Sequence, residues 1–267
     1  MISFPNAKIN IGLNIVSKRT DGYHNLETIF YPVQLKDALE LVESDETQFS
    51  ASGTKIDGKP ENNLVFKAYK ILEQDFKLPP VKLHLHKVIP FGAGLGGGSA
   101  DAAFTLKMLN EFFKLKISTE KLESYASKIG ADCPFFINNK PTFASGIGDQ
   151  FQHVSLDLSE YKIIIAKPNT SVSTPDAYRH VIPAKPEFNL RDIEQLPIEQ
   201  WKISIKNDFE TSVFQQYPEI EVLKNSLYAG GAIYASMSGS GSAVFGIFRQ
   251  IPSNLNNLDI TEIYICQ

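Results

Sequence analysis

Between Ala7 and Ile15 apolar and polar residues alternate with period two, placing Ala7, Ile9, Ile11, Leu13 and Ile15 on one face and Lys8, Asn10, Gly12 and Asn14 on the other. That pattern predicts a half-buried strand, with Lys8 and Asn10 on its polar face and Gly12 leaving room there for something to approach. The turn-forming run Arg19-Thr20-Asp21-Gly22 leads into Tyr23 and His24, and the apolar segment 26–35 predicts a second strand paired with the first. Residues 37–49 are acidic and strand-like, and 51–63 form a polar loop. Helical spacing through Leu64, Ala68, Ile71 and Leu72 predicts a helix over 64–76, stopped by Pro79-Pro80. Alternation returns over 81–88, with Val81, Leu83 and Leu85 inward and His84 and His86 on the solvent face. Two histidines at i, i+2 could ligate a metal, but no third ligand stands nearby.

Ala103, Leu106, Leu109 and Phe113 fall at helical spacing, as do Leu122, Tyr125, Ala126 and Ile129 in a helix over 119–129 that Gly130 would cap. Ala131-Asp132-Cys133-Pro134 then makes a sharp junction before an apolar strand through Phe135, Phe136 and Ile137. An aspartate in such a turn either bonds local backbone N–H groups or serves chemistry, and Asp132 is open to both readings. Residues 152–161 read as a linker or a domain exchange. Beyond them the pattern predicts a strand over 162–166, a helix start over 176–180, an amphipathic helix over 219–228, and strands flanking Gly239-Ser240-Gly241-Ser242. That last turn is most simply a hairpin, though its backbone donors would also suit a functional loop.

The stretch 89–104 breaks these periodicities, because Gly92, Gly94, Gly96, Gly97 and Gly98 lead directly into a helix for which Ser99 and Asp101 are candidate N-caps. Glycines let backbone N–H groups approach a ligand closely, and the helix start adds its positive dipole end, so the expected occupant is a phosphate. A flexible connector would not carry a cap and an amphipathic helix. Gly92-x-Gly94-x-x-Gly97 satisfies the dinucleotide fingerprint literally, but the acidic candidate downstream, Glu120, falls at a helix start and not at a strand end. No Lys-Ser/Thr follows the glycines, which excludes a Walker A loop.

Composition narrows the partners. The 267 residues, 43% hydrophobic and 21% charged, are ordinary for a globular protein of one large or two modest domains. A formal charge of −4 argues against a nucleic-acid surface. Cys133 and Cys266 have neither metal-ligand spacing nor the number for a disulfide scaffold, so a reducing, cytoplasmic setting is expected. No signal peptide, membrane span or fixed-period repeat is evident.

Three segments taken together, the Lys8 strand, Pro90 to Ser99 and Ser238 to Ser242, resemble the GHMP kinase superfamily. Pro5-Asn6-Ala7-Lys8-Ile9-Asn10, Arg19-Thr20-Asp21-Gly22-Tyr23-His24 and Gly130-Ala131-Asp132-Cys133-Pro134-Phe135 narrow the likeness to the branch that phosphorylates a cytidyl diphosphate alcohol of the non-mevalonate isoprenoid route. The resemblance spans nearly the whole chain. It implies an α+β, two-domain GHMP kinase fold, with an N-terminal domain (1–151) like ribosomal protein S5 and a ferredoxin-like C-terminal domain (152–267). It further implies ATP as co-substrate, bound through Pro90, Phe91, Gly92, Ala93, Gly94, Leu95, Gly96, Gly97, Gly98, Ser99 and Ala100, together with Mg2+ whose ligands stay unassigned. Ala100 stands where many relatives have a second serine, which removes a hydroxyl but leaves the backbone cradle. By the same resemblance Asp132 accepts the acceptor's proton and Lys8 stabilises charge and keeps Asp132 ionised. Asn10 orients the acceptor, and Tyr23, His24, Phe30 and Tyr178 hold the cytosine. The implied partners are a small cytidyl diphosphate substrate, no nucleic acid and no membrane, in a monomer or homodimer. A different GHMP small-molecule kinase and a non-catalytic S5-like nucleic-acid module remain the alternatives.

Overall fold

The computed structural model describes residues 1–56, 58–252 and 262–266. In chain order its first half contains β1 (Ile2–Ser3), β2 (Asn6–Lys18), β3 (His24–Lys36), β4 (Ala38–Glu43), β5 (Gln48–Gly53), α1 (Leu64–Phe76), β6 (Val81–Lys87), α2 (Gly97–Phe112), α3 (Thr119–Ser127) and α4 (Phe135–Asn138). The second half contains β7 (Thr142–Ser145), β8 (Gln150–His153), β9 (Lys162–Lys167), α5 (Thr174–Tyr178), α6 (Trp201–Ser204), α7 (Phe209–Gln216), α8 (Pro218–Ala229), β10 (Tyr234–Met237), β11 (Val244–Phe248) and β12 (Glu262–Ile265). Helices and mostly antiparallel strands mix in the α+β manner expected.

Two compact units share this chain. The first comprises Met1–Ala7, Leu35–Phe91 and Gly96–Lys140. Its sheet runs β1-β4-β6-β5, with β4 and β6 antiparallel and β5 and β6 parallel. A parallel pair needs a crossover, and α1 supplies it. Leu39, Leu41, Val81, Leu83 and Leu85 of the sheet are buried, as are Val65, Ala68 and Leu72 of α1 and Leu106 and Leu109 of α2. Asn63 caps α1 by accepting from the Val65 N–H at 2.9 Å, and Lys77 ends it in the left-handed region.

The expected strand through Phe135–Ile137 is the short helix α4 instead. A buried apolar run of that length fits either element. Pro134, at φ −61°, is preset for a helical start, and Asn139 at φ +54° stops it one turn later. The caps expected for α2 also differ. Gly96, at φ +69°, occupies the N-cap position, so Ser99 and Asp101 lie inside the first turns of the helix and cap nothing.

The second unit comprises Lys8–Gln34, Gly92–Leu95 and Pro141–Gln267. It holds a sheet in the order β2-β3-β7-β8, and another in the order β10-β11-β9-β12 whose pairs are all antiparallel. Leu13 and Ile15 join Ile164, Phe209, Val213, Ile220, Met237 and Val244 in one core. The strand expected at its start is not half-buried, because both faces of β2 are covered and Lys8 and Asn10 are 3% and 2% exposed. Gly12 on its polar face leaves no room for a ligand. At φ +66°, a Cβ there would sit 2.8 Å from Leu190 and 2.9 Å from Ile205. Nor is 152–161 a free linker: β8 pairs with β7, Val154 and Leu158 are buried, and the Leu158 N–H donates to the Tyr31 hydroxyl at 3.1 Å.

Candidate active site

Within the second unit, Lys8 is the hub of a buried polar network. Its Nζ donates to Asn10 Oδ1 at 2.6 Å and to the Gly94 carbonyl at 2.9 Å, and lies 5.0 Å from the Phe30 ring centroid. Asn10 passes the network on, its Nδ2 donating to Thr28 Oγ1 at 3.0 Å, while Thr28 donates to the Gly12 carbonyl. The alternation of a strand puts Lys8 and Asn10 on one face, and register places Thr28 within reach on β3.

The same network seats the glycine loop. The Lys8 N–H donates to the Leu95 carbonyl at 2.9 Å, the Ala243 N–H to the Ala93 carbonyl at 3.2 Å, and Ser238 Oγ to the Gly94 carbonyl at 2.9 Å. The turn 238–243 is therefore more than a hairpin connection, since it clamps residues 93 and 94. Asn207 braces that turn from below, donating to the carbonyls of Met237 and Gly239. Gly94 has φ +76°, and a Cβ on it would overlap the Ser238 carbonyl. Gly94→Ala is accordingly expected to cost about 2–4 kcal/mol of stability and to weaken nucleotide binding. A urea melt matching the parent's would refute that.

Within the first unit, α2 opens with a row of glycines. The Ala100 N–H donates to the Gly96 carbonyl at 2.9 Å and is committed to the helix. Helix geometry leaves the N–H groups of Gly97, Gly98 and Ser99 without intrahelical acceptors, at the positive end of a 16-residue dipole. Beside them lies a cavity of about 520 Å³, whose lining includes Phe49, Asn63, Leu64, Phe91, Gly98 and Asp101. Its size suits a nucleoside. Asp132 is half-buried in the turn before α4, where the Cys133 N–H donates to the Gly130 carbonyl. Burial, opposed by the adjacent Ser99 hydroxyl and reinforced by Asp132, pushes the Cys133 thiol up to about 11, so it stays protonated and inert.

The four aromatic candidates separate. His24 and Tyr178 stack with centroids 4.9 Å apart at 20°, and Phe209 meets Tyr178 edge-on at 4.7 Å. Tyr23 is 62% exposed, whereas Phe30 is buried with its face turned to Lys8. Burial, followed by the charge of Lys18, holds the His24 imidazole below its ordinary pKa, so it is neutral at neutral pH.

The structure thus brings Lys8, Asn10, Phe30 and residues 93–95 together in one unit, and Gly97, Gly98, Ser99 and Asp132 in the other. Thr28 and Asn207 join the first group without a sequence signal, 16 and 30 residues from their partners in the chain, whereas Ser238, of the late Gly-Ser turn, reaches Asn10 across 228 residues. Asn63 and Leu64 at the cavity could have been noted as a cap followed by an apolar start. Among the described residues no group of three His, Cys, Asp or Glu side chains could hold a metal ion, and no helix is long and apolar enough to cross a membrane.

Comparison with known proteins places this arrangement. Residues 63–140 match the GHMP kinases N terminal domain and residues 190–255 the GHMP kinases C terminal domain. The 4-diphosphocytidyl-2-C-methyl-D-erythritol kinase of Parabacteroides distasonis is 58% identical over 94% of this chain and 92% of its own. The kinase of the same name from Bacteroides fragilis is 59% identical over 93% and 92%. A crystal structure of 4-(cytidine 5'-diphospho)-2C-methyl-D-erythritol kinase superposes with TM-score 0.81 at 31% identity, covering 92% of this chain and 90% of that one. Methanococcus jannaschii mevalonate kinase shares the fold, with TM-score 0.73 at 13% identity over 100% and 98%. With both domain families matched in order, and relatives this similar along almost its full length, the chain belongs to the GHMP kinase family.

Proposed function

We propose that this chain transfers the γ-phosphoryl group of ATP to the 2-hydroxyl of 4-diphosphocytidyl-2-C-methyl-D-erythritol, a step of non-mevalonate isoprenoid synthesis. The observation that carries the kinase reading is the start of α2, where three unspent N–H groups stand beside a nucleoside-sized cavity. The nucleoside of ATP occupies that cavity, and its phosphates lie on the amides of Gly97, Gly98 and Ser99. Phosphoryl transfer asks a protein mainly for positioning and charge neutralisation. Lys8 supplies positive charge from a slot in which Asn10, Gly94 and Phe30 fix its Nζ. Asp132 takes the proton of the attacking hydroxyl. The reading includes an Mg2+ that would reach the site with the triphosphate. When bound, that ion would offset phosphate charge.

The stacked pair His24 and Tyr178 supports cytidyl recognition, because a neutral imidazole and a phenol ring present both π-faces and hydrogen-bonding edges to a base. His24→Ala is expected to weaken the cytidyl substrate at least tenfold while leaving ATP affinity within about twofold. Equal losses for both ligands in calorimetry would count against this role. The function itself is tested by ADP release with ATP and a panel of acceptors. Turnover with the cytidyl diphosphate alcohol and none with mevalonate or homoserine is the expected result, and the reverse preference would replace it with another small-molecule kinase of the family.

A further inference from the structure

The phosphate-loop reading leaves one buried feature unused. Lys87, at the end of β6, points its Nζ at two carboxylates at once, Asp37 Oδ2 and Asp101 Oδ2, the latter at 2.8 Å. All three side chains are at most 3% exposed. Asp37 is richly satisfied, since its Oδ1 also accepts the N–H groups of Val88 at 2.6 Å and Ile89 at 2.8 Å. Asp101 is not, because its Oδ1 has no hydrogen-bond partner. The three residues join the two ends of the glycine loop: residues 87–89 are its entry, and Asp101 lies in the opening turns of α2. They also meet the cavity, whose lining includes Lys87 and Asp101. Gly97 packs on the triad so closely that a Cβ there would stand 2.8 Å from Lys87 Nζ.

Two buried carboxylates on one ammonium leave a net negative charge if both are ionised, and an isolated charge in such a place is costly. The asymmetry of partners decides which oxygen carries a proton. Asp37 receives three donors and Asp101 only one. Burial first, with the charge of Asp37 adding to it, raises the Asp101 carboxyl far above its ordinary range. The other charged and titratable groups on the packed elements stand apart: Lys67 of α1, Glu40 and Glu43 of β4, Glu120 and Lys121 of α3 and Lys82 and His86 of β6 are exposed, Lys70 pairs with Glu73, Asp75 accepts from the Tyr125 hydroxyl, His84 bonds Ser50 and Ser52, Glu123 of α3 holds Asn138, and α4 has none.

We propose that Asp37, Lys87 and Asp101 form a positioning device that sets the two ends of the phosphate loop for ATP, and that its working form carries one proton on Asp101. Lys87 bridges entry to exit while the neutral Asp101 leaves no unbalanced charge beneath the triphosphate. When pH rises and that proton is lost, a second negative charge appears beside the nucleotide and its binding weakens.

This rests on the cavity being the ATP site, so direct ATP binding is measured alongside turnover for the parent, Asp101→Asn and Lys87→Met. Asparagine keeps the shape and the hydrogen bonding of a protonated carboxyl but cannot ionise. Asp101→Asn is expected to hold its KM for ATP within about twofold of the parent at neutral pH and to stay flat toward pH ~9, where the parent's KM climbs several-fold with a smaller change in kcat. Lys87→Met is expected to raise the KM at least tenfold. A tenfold loss of ATP affinity in Asp101→Asn at neutral pH, or superimposable pH profiles for parent and Asp101→Asn, would overturn the proposal even if Lys87→Met fails to fold. Failure of the parent itself to bind ATP would overturn the reading of the cavity instead.

Discussion

Asp132→Ala is expected to lower turnover by about 10²- to 10⁴-fold while the protein still folds and still binds ATP. The expectation follows from where the residue sits. Asp132 is half-buried in the turn between α3 and α4, outside the apolar packing that holds those helices, which comes from Leu122, Tyr125, Ala126, Phe135 and Phe136. Removing its side chain therefore leaves the core intact. On the proposed reading, what it does remove is the group that accepts the hydroxyl proton. Because the proposed ATP contacts are the α2 amides and the cavity, the loss is expected to fall on kcat and to leave nucleotide affinity near the parent's. Turnover within about tenfold of the parent would remove Asp132 from the role of base.

Lys8→Met tests the other half of the chemistry, and a loss of about 10²- to 10³-fold in kcat is expected. Methionine keeps an apolar stem of similar length in a slot that is 3% exposed, so packing against Phe30 survives. The ammonium goes, and with it the donor to Asn10 Oδ1 and one of two donors to the Gly94 carbonyl. Ser238 still holds Gly94, and the Asn10 amide oxygen loses the Lys8 donor, at a cost of about 1–3 kcal/mol. Lys8→Arg is not expected to restore turnover, because a planar guanidinium cannot take the place of a point charge in a closed slot. The measurement is kcat beside a urea melt. A variant that melts early but, where folded, turns over at the parent rate would assign Lys8 to the scaffold alone.

These two residues also show how far a sequence can be read. The alternation from Ala7 to Ile15 is a local property, and it announced a strand with Lys8 and Asn10 on one face. It could not announce that this face is closed. Covering it takes residues 93–95 and the turn 238–243, and the bond from the Asn10 N–H to Ser238 Oγ spans 228 positions. Asp132 stood out through the Gly-Ala-Asp-Cys-Pro run, yet the element after it was misread, because an apolar run of three or four residues has no period that separates a strand from one helical turn.

The glycine loop divides in the same way. Its composition alone determined that backbone N–H groups would be presented at a helix start, since five glycines before an amphipathic segment serve few other purposes. Spacing, caps and hydrophobic period, all of which act within a few residues, likewise determined α1, the pairing of β2 with β3 and the strands around residue 240. Only the tertiary structure decided which glycines cap and which clamp, that Ala100 spends its N–H inside α2, and that Asp101 joins Lys87 and Asp37 and does not cap the helix. The physical reason is burial. A charged side chain in a sequence looks solvated by default, and nothing local reveals that the fold will exclude water from it and oblige distant partners to meet its hydrogen bonds.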